Sequence, residues 1–385
     1  MKIVDMKVLV LGCSWRNLVV IKLYTDEGVT GLGECTIQNR EEGVRGYLEG
    51  AKHRHVLGTD PFNTEDLWLR MYRNDFFRGG VIACSAMSAV ETACWDIVGK
   101  VLGQPVYKLL GGKCHEKVKA YANGWYTVER EPQAFAERAK VVVSKGYKAL
   151  KVDPFGGGAY ELDRKEKIRS IELVEAIRGA VGPDVEIFIE GHGRFSVSTA
   201  VAIGRELERY DPGWFEEPVP PEDTASMRKV MDKLTVPIAT GERLYTHHGF
   251  RELFEMRAAD IIQPDVLHTG GIMEMKKIAA GADAHYMVVA PHNSNGPICT
   301  AASVHFAFCT TNFKIQECFD DFADPWVTQA VSGYPKVIDG YFLPPEKPGL
   351  GVEIHEEVFE EHPYKPGHFN LWDSNWQKRQ YATTD

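Results

Sequence analysis

Three short apolar runs, IFIEGHGR (187–194), WFEEP (214–218) and IATGER (238–243), each carry a carboxylate at or near their ends. Those carboxylates, Glu190, Glu216 and Glu242, recur every 26 residues. A parallel strand with its loop and covering helix takes roughly 30 residues, so the period demands consecutive βα units. Carboxylates at the same end of successive parallel strands converge on one mouth. Three converging negative charges repel each other, and a hard divalent cation relieves the repulsion. An all-oxygen ligand set favours Mg²⁺ over zinc or copper.

The alternation extends well beyond these three runs. VKAYANG (118–124) and KALKVDP (148–154) precede them, and DIIQPD (260–265), YMVVAPH (286–292) and FKIQECF (313–319) follow, with helical stretches between most of the eight. Eight strands alternating with helices predict an α/β fold, a modified (β/α)8 barrel. The strands are apolar throughout, as expected where both faces are buried. Earlier in the chain the pattern differs. KIVDMKVLVL alternates, LVVIKLYTDEG leads to a turn at Asp26-Glu27-Gly28, and VTGLGEC returns. Residues 41–112 read as helices, and SAMSAVETACWDIVGKVLG (85–103) spaces its apolar and small residues for close packing before Gly103 and Pro105 stop it. The expected organisation is an α+β capping domain over 1–117, the catalytic barrel over 118–333, and a tail over 334–385 that packs back on the capping domain. A chain of 385 residues, 44% hydrophobic, has enough apolar material for both units.

A formal net charge of −10 argues against nucleic acid or an anionic membrane surface as partner, while a bound cation would still permit an anionic substrate. The eight cysteines are scattered without a CxxC, which suits buried free thiols in a reducing, cytoplasmic setting. VLVLG is too short for a signal core, and no uninterrupted run of about 18 apolar residues predicts a membrane span. Gly156-Gly157-Gly158 lacks the Lys-Ser/Thr of a phosphate loop and reads as a flexible connection, and Thr269-Gly270-Gly271, after the sixth strand, could bind an anion. His53-Arg54-His55 sits in a polar helical stretch rather than at a strand end, so zinc is not expected there. His247-His248 either line the rim of the mouth or are structural.

The strand ends carry Asn123, Lys151 with Asp153, Glu190 with His192, Glu216 with Glu217, Glu242, Asp265, His292 and Glu317. A single ionisable strand end is ordinarily a cap or a solvated terminus, but nearly all eight together describe a catalytic mouth. Lys151, His192 and His292 come from different strands and can approach a central ligand from different sides. Asp265 can accept the His292 N–H and fix its tautomer. Beside a cation, such bases suit removal of the proton α to a carboxylate, with the enediolate charge compensated by the cation and by Lys151. Glu317, if protonated, could donate to a carboxylate oxygen.

WFEEP, TGER, QPDVLHTGG and APH, with AVETACWDIVGKVLGQPVYKLLGG (89–112) and PGLGVEI (348–354), resemble the enolase superfamily in its mandelate racemase subgroup, over essentially the whole chain. The resemblance implies a capping domain on a modified barrel, Mg²⁺ held by Glu190, Glu216 and Glu242, a His292–Asp265 dyad, and Glu317 as donor on the carboxylate side. Glu217 would then be a structural neighbour of the ligands. Two departures matter. Lys151-Val152-Asp153 stands where the racemases carry Lys-x-Lys, and Glu190-Gly191-His192 stands where the first ligand is commonly Asp followed two residues later by Asn. A histidine at that place is similar to the acid-sugar dehydratases, of galactonate and gluconate type. That likeness implies Mg²⁺-dependent loss of water from a sugar acid to give a 2-keto-3-deoxy acid. One of His192 and His292 would take the α-proton and the other would protonate the departing 3-hydroxyl. The alternatives are a racemase or epimerase, or a sugar-lactone cycloisomerase, through the same enediolate. Asp153 either pairs with Lys151 or contacts a substrate hydroxyl. The substrate's far end would meet Trp15 and Arg16, or Arg73 and Asn74, with Trp125 a further candidate, and Arg194 either reaches the mouth or lies on the surface. A homo-oligomer built from dimers, tetrameric or octameric, is implied.

Overall fold

The computed structural model describes residues 1–381, so the last four residues of the expected tail lie outside the described residues. The N-terminal unit begins with an antiparallel meander, β1 (Ile3–Gly12), β2 (Asn17–Thr25) and β3 (Thr30–Glu34), in spatial order β1-β2-β3. Gly28 takes φ +81 in the β2–β3 turn, a conformation open to glycine at no steric cost. Helices α1 (Glu41–Ala51), α2 (Thr64–Arg73) and α3 (Gly80–Leu102) cover one face of this sheet. The α3 helix is long and apolar enough to cross a bilayer by length and composition alone, yet 78% of its apolar window is buried inside the fold. Its small residues explain the packing, because the backbone of Ala89 and Ala93 abuts Gly33 and Gly31 of β3. Its buried carboxylates explain its position. Glu91 accepts from the Ile272 and Met273 amides, and Asp96 accepts from the amides of Leu32 and Leu350. One helix therefore ties the sheet, the barrel and the tail together. It ends at Gly103, φ +64, and a short turn, α4 (Val106–Leu109), follows.

Eight parallel strands then alternate with helices. They are β4 (Val118–Ala122), β5 (Ala149–Val152), β6 (Glu186–Glu190), β7 (Trp214–Glu216), β8 (Ile238–Thr240), β9 (Ile261–Ile262), β10 (Val288–Val289) and β11 (Gln316–Cys318). Each pairs with the next from β4 to β10, and β11 pairs back on β4. A bridge between Val289 and Phe313 joins the two remaining edges, so no long edge stays unpaired. The helices outside include α5 (Pro132–Ser144), α6 (Arg164–Val181), α7 (Val197–Leu207), α8 (Thr224–Met231), α9 (Thr246–Gly249), α10 (Arg251–Met256), α11 (Ile272–Asp283) and α12 (Pro297–Phe308). Asp163 and Ser196 cap α6 and α7 through their side chains.

Inside the barrel a separate apolar layer takes one residue from each strand position: Tyr121, Ala149, Phe188, Trp214, Ala239, Ile261, Ala290 and Ile315. Three aromatics are offset by three alanines and two isoleucines, the large-with-small packing a closed cylinder needs. Phe188 and Trp214 stack at 3.5 Å with Tyr121 edge-on to both. This layer is the floor on which the strand-end polar groups stand.

The tail returns across the N-terminal sheet. Glu356 pairs with Lys7 and Lys22, the Lys365 amide donates to Asn17, and Phe369 and Asn39 exchange two hydrogen bonds. The fold is a modified (β/α)8 barrel with an α+β capping domain formed by the N-terminal segment and the tail. The eight cysteines are free, and all but Cys114 are buried.

Candidate active site

Strand alternation places residues i and i+2 on one side of the sheet. Lys151, Glu190, Glu216 and Glu242 all emerge at the carboxyl ends of β5 to β8, and ligand oxygens of Glu190, Glu216 and Glu242 lie within 4.8 Å of one another. Glu190 and Glu216 are buried, Glu242 partly so. Glu216 is engaged on both oxygens, by Trp214 Nε1 at 2.8 Å and by Lys151 Nζ at 2.7 Å. Lys151 also lies 3.0 Å from Glu317 and 3.4 Å from Glu190. Burial alone would push Glu216 up, but Lys151 together with Glu190 and Gln263 outweighs it and brings it to about 2. Glu190 is driven well above the usual carboxylate range by burial and by the Glu216 charge. Its Oε2 is buried and accepts no hydrogen bond. A buried oxygen without a hydrogen bond, an all-oxygen donor set and carboxylates that Lys151 only partly neutralises fit a divalent cation.

Two histidines face this cluster, each anchored the same way. His292 Nδ1 lies 2.6 Å from Asp265 Oδ2, and His192 Nδ1 lies 2.5 Å from Asp153 Oδ2. A carboxylate only accepts, so in both rings Nδ1 carries the proton and Nε2 faces the cavity. His292 Nε2 is 3.4 Å from Glu242. Burial lowers the His292 imidazole, but Glu242, Glu317 and the Asp265 bond override it and raise it to about 10. Burial lowers His192, against the pull of Asp153. His192 occupies the left-handed region at φ +49, held there by its own amide, which donates to Glu190 at 2.6 Å. Both histidines and two of the carboxylates open onto one cavity of about 310 Å³, which Lys151, Glu190, His192, Glu242 and His292 line with Trp15, Arg16 and residues of the tail.

Several placements differ from expectation. Asp153 neither pairs with Lys151 nor faces the cavity, since its oxygens are taken by His192, by Arg194 and by the Phe155 amide. Arg194 is neither at the mouth nor on the surface. It is buried, and its remaining donors clamp the carbonyls of Gly191, Phe155 and Gly156. Glu317 accepts from Asn123 Nδ2 and from the Asn293 amide, so these contacts use it as an acceptor rather than a donor. Trp125 is fully buried beneath the mouth, where its Nε1 donates to the Lys151 carbonyl, and it is not a cavity residue. Arg73 and Asn74 close α2 on the exposed surface and do not line the cavity. Trp15 and Arg16 do line it. Glu217, at φ +35, is clamped by Arg243 at 2.5 Å. His247 is bonded to Glu274 and lies outside the cavity lining. His53-Arg54-His55 forms one turn of π-helix in the capping domain.

Sequence reasoning passed over His268, although it lies inside QPDVLHTGG. Its Nδ1 bonds Ser85 at 2.8 Å and its Nε2 stands 3.9 Å from Asp265. It also passed over Phe369, Leu371, Trp376 and Arg379, tail residues that line the mouth. The Trp376 ring stands edge-on to His192 at 5.4 Å. The only local signal was the aromatic and basic run NLWDSNWQKR (370–379).

Comparison with known proteins agrees with this architecture. Residues 134–358 match the enolase C-terminal domain-like family, and residues 6–111 match the mandelate racemase/muconate lactonizing enzyme N-terminal domain. A D-gluconate/D-galactonate dehydratase of Picrophilus torridus is 35% identical over 94% of this chain and 93% of its own. A D-mannonate dehydratase of Caulobacter vibrioides is 35% identical over 95% of this chain and 96% of its own. Among solved structures, a mandelate racemase/muconate lactonizing enzyme-like protein from Roseovarius superposes with a TM-score of 0.89 at 36% identity, covering 95% of this chain and 96% of that one. With both of its domains matched and the carboxylate cluster at the barrel mouth, the chain belongs to the enolase superfamily, in its mandelate racemase subgroup.

Proposed function

We propose that this chain is a Mg²⁺-dependent sugar-acid dehydratase that converts a sugar acid into its 2-keto-3-deoxy acid. The observation that carries the reading is the pair of histidine–aspartate couples, His192–Asp153 and His292–Asp265, opening onto one cavity. Elimination of water needs a base and an acid together, and this pair supplies both. The names of the relatives above support the same class.

Glu190, Glu216 and Glu242 would hold the cation, which supplies charge neutralisation to the substrate carboxylate as the α-proton leaves. One imidazole Nε2 takes the C2 proton. The released electron pair forms the C2–C3 double bond as the C3–O bond breaks, and the other imidazole gives the departing oxygen the proton that makes it water. The resulting enol becomes the 2-keto-3-deoxy acid on protonation at C3. Lys151, held protonated because its carboxylate neighbours outweigh the burial that would lower it, adds positive charge beside the carboxylate. Asp153 and Asp265 keep both Nε2 atoms aimed inward.

The test is incubation of the magnesium-loaded protein with five- and six-carbon aldonates and aldarates, in H₂O and in D₂O, reading 2-keto acid with semicarbazide and C2 deuteration by NMR. Keto acid is expected from wild type and from neither His192→Asn nor His292→Asn. The variant that still exchanges the C2 proton has lost the acid, and the one that does not has lost the base. Deuteration at C2 by wild type with no keto acid would refute the dehydratase reading and favour a racemase.

A further inference from the structure

The cavity has a second charged wall, away from the carboxylate cluster. Arg16 from the capping domain and Arg379 from the tail both line it, and only 5% and 8% of their surfaces are exposed. Both lie against one aromatic platform. The Arg16 guanidinium is 4.4 Å from the Trp15 ring and 5.0 Å from Phe319, while that of Arg379 is 4.6 Å from Phe319 and 5.0 Å from Tyr126. The rings fix the planes of both forks without neutralising them.

The neighbouring cations have counter-ions: the buried Lys151 has Glu216 and Glu317, the buried Arg194 behind the mouth has Asp153, and the half-exposed Arg243 has Glu217. Arg16 and Arg379 form no ion pair among the described residues. Arg16 donates to the Ser294 and Asn295 carbonyls, and Arg379 Nη2 donates to the Tyr126 hydroxyl at 3.3 Å. Among the described residues, Arg379 Nη1 is buried with no partner. Two buried like charges, one with an idle N–H, are costly to hold in a protein unless an anion joins them.

We infer that Arg16 and Arg379 form a subsite for a second carboxylate, so that the preferred substrate is a sugar diacid held at both ends. This rests on the dehydratase reading for the placement of the first carboxylate at the cation. Arg16 feels Glu34 and Asp320 at longer range, and Arg379 feels Glu317 and Asp153, so the charge of the two forks is partly offset. That suits the single charge and two oxygens of a carboxylate better than the double charge of a phosphate. A neutral terminal hydroxyl would leave the pair uncompensated.

The experiment measures binding rather than turnover. Magnesium-loaded wild type, R379Q, R379K and R16Q are titrated calorimetrically with adipate and with hexanoate, which match in length and cannot react. Wild type is expected to bind adipate about 10- to 100-fold tighter than hexanoate, the worth of one charge-assisted pair. R379Q and R16Q should bring the two ligands level, and R379K should keep part of the difference. Unliganded R379Q should melt at or above the wild-type temperature, because an uncompensated charge is gone. Equal binding of the two ligands by wild type would overturn the inference, as would tighter binding of 6-phosphogluconate than of glucarate, or a drop of about 5 °C or more in the melting temperature of R379Q. Keto acid from aldonates without an adipate preference removes this subsite and leaves the dehydratase reading standing. An adipate preference with no keto acid from any substrate does the reverse.

Discussion

His305 gives a pH dependence that can be worked out from its surroundings. It lies in α12, fully buried. The Tyr107 amide donates to its Nδ1 at 3.2 Å, and its Nε2 meets the Leu350 carbonyl at 3.2 Å. Both bonds are satisfied by the neutral ring with its proton on Nε2, and a second proton would displace the amide. Burial accordingly pushes the imidazole from 6.5 down to about 4, against the Leu350 carbonyl. The unfolded chain therefore takes up a proton near pH 6.5 that the folded chain refuses until about pH 4. Stability from this residue is complete above the unfolded value and is lost as the pH falls through that window. At about 1.4 kcal/mol per unit, the loss is about 2 kcal/mol by pH 5 and about 3 kcal/mol in full. The perturbation is His305→Asn, whose amide oxygen can still accept from Tyr107 but which does not titrate. Urea unfolding of both proteins near pH 7.5 and pH 5, at one protein concentration, cancels every other titrating group in the difference. The variant is less stable near pH 7.5 through lost packing, and its deficit shrinks by about 2 kcal/mol at pH 5. A deficit that stays constant between the two pH values would refute the argument.

Asp265→Asn turns an amide N–H toward His292 Nδ1 and favours the other tautomer, so kcat/KM on the dehydrated substrate should fall by about 10²- to 10⁴-fold while calorimetric Mg²⁺ affinity stays within about threefold of wild type. Glu242→Gln removes one of three ligand charges and should weaken Mg²⁺ by at least about tenfold. In the metal-free protein it should also lower the His292 titration seen by imidazole NMR, because Glu242 at 3.4 Å is among the charges that hold that ring up to about 10. Gly271→Ala places a methyl 2.1 Å from Glu91 Oε2 at φ +104, and should cost about 2 kcal/mol or more in denaturant unfolding through the α3–α11 contact.

The parts legible in the sequence are those that local rules decide. A parallel strand must be followed by a crossover of fixed minimum length, so the 26-residue period and the apolar runs announce the barrel, and the strand ends announce which side chains share its mouth. Lys151, Glu190, Glu216, Glu242, Asp265 and His292 all follow from that register. Trp125 was misread because it lies only two residues beyond Asn123, where the strand has ended at Gly124, φ +84, and the chain has turned its ring beneath the mouth. The partner of Asp153 was undecidable because Arg194 comes from another loop, and its burial depends on how the two loops pack. The tail shows the same limit at longer range. Its residues dock on the capping sheet at Asn17 and Asn39, and the run just beyond, from Phe369 to Arg379, reaches the barrel mouth. No pairing rule links residues more than two hundred positions apart.

The short motif Glu190-Gly191-His192 shows why some of these spacings carry chemistry and structure at once. His192 adopts a backbone that costs a non-glycine residue about 1 kcal/mol or more. What holds it there is its own amide on Glu190 Oε1, together with the Gly193 amide on the Glu217 carbonyl at 2.7 Å. The intervening residue has no room for a side chain, since a Cβ on Gly191 would lie 2.7 Å from the Glu217 carbonyl oxygen. The carboxylate that would hold the cation, the imidazole that would move a proton, and the strand pairing between β6 and β7 are thus one rigid unit three residues long. A cation held by Glu190, Glu216 and Glu242 would pull on the loop that aims His192. Asp153 and Arg194 resist that pull from the other side, because Arg194 ties Asp153 to the Gly191 carbonyl. Loading the carboxylates would therefore bear directly on the loop that aims His192, whereas His292 is fixed by Asp265 on a neighbouring strand and meets the carboxylates through Glu242, 3.4 Å from its Nε2.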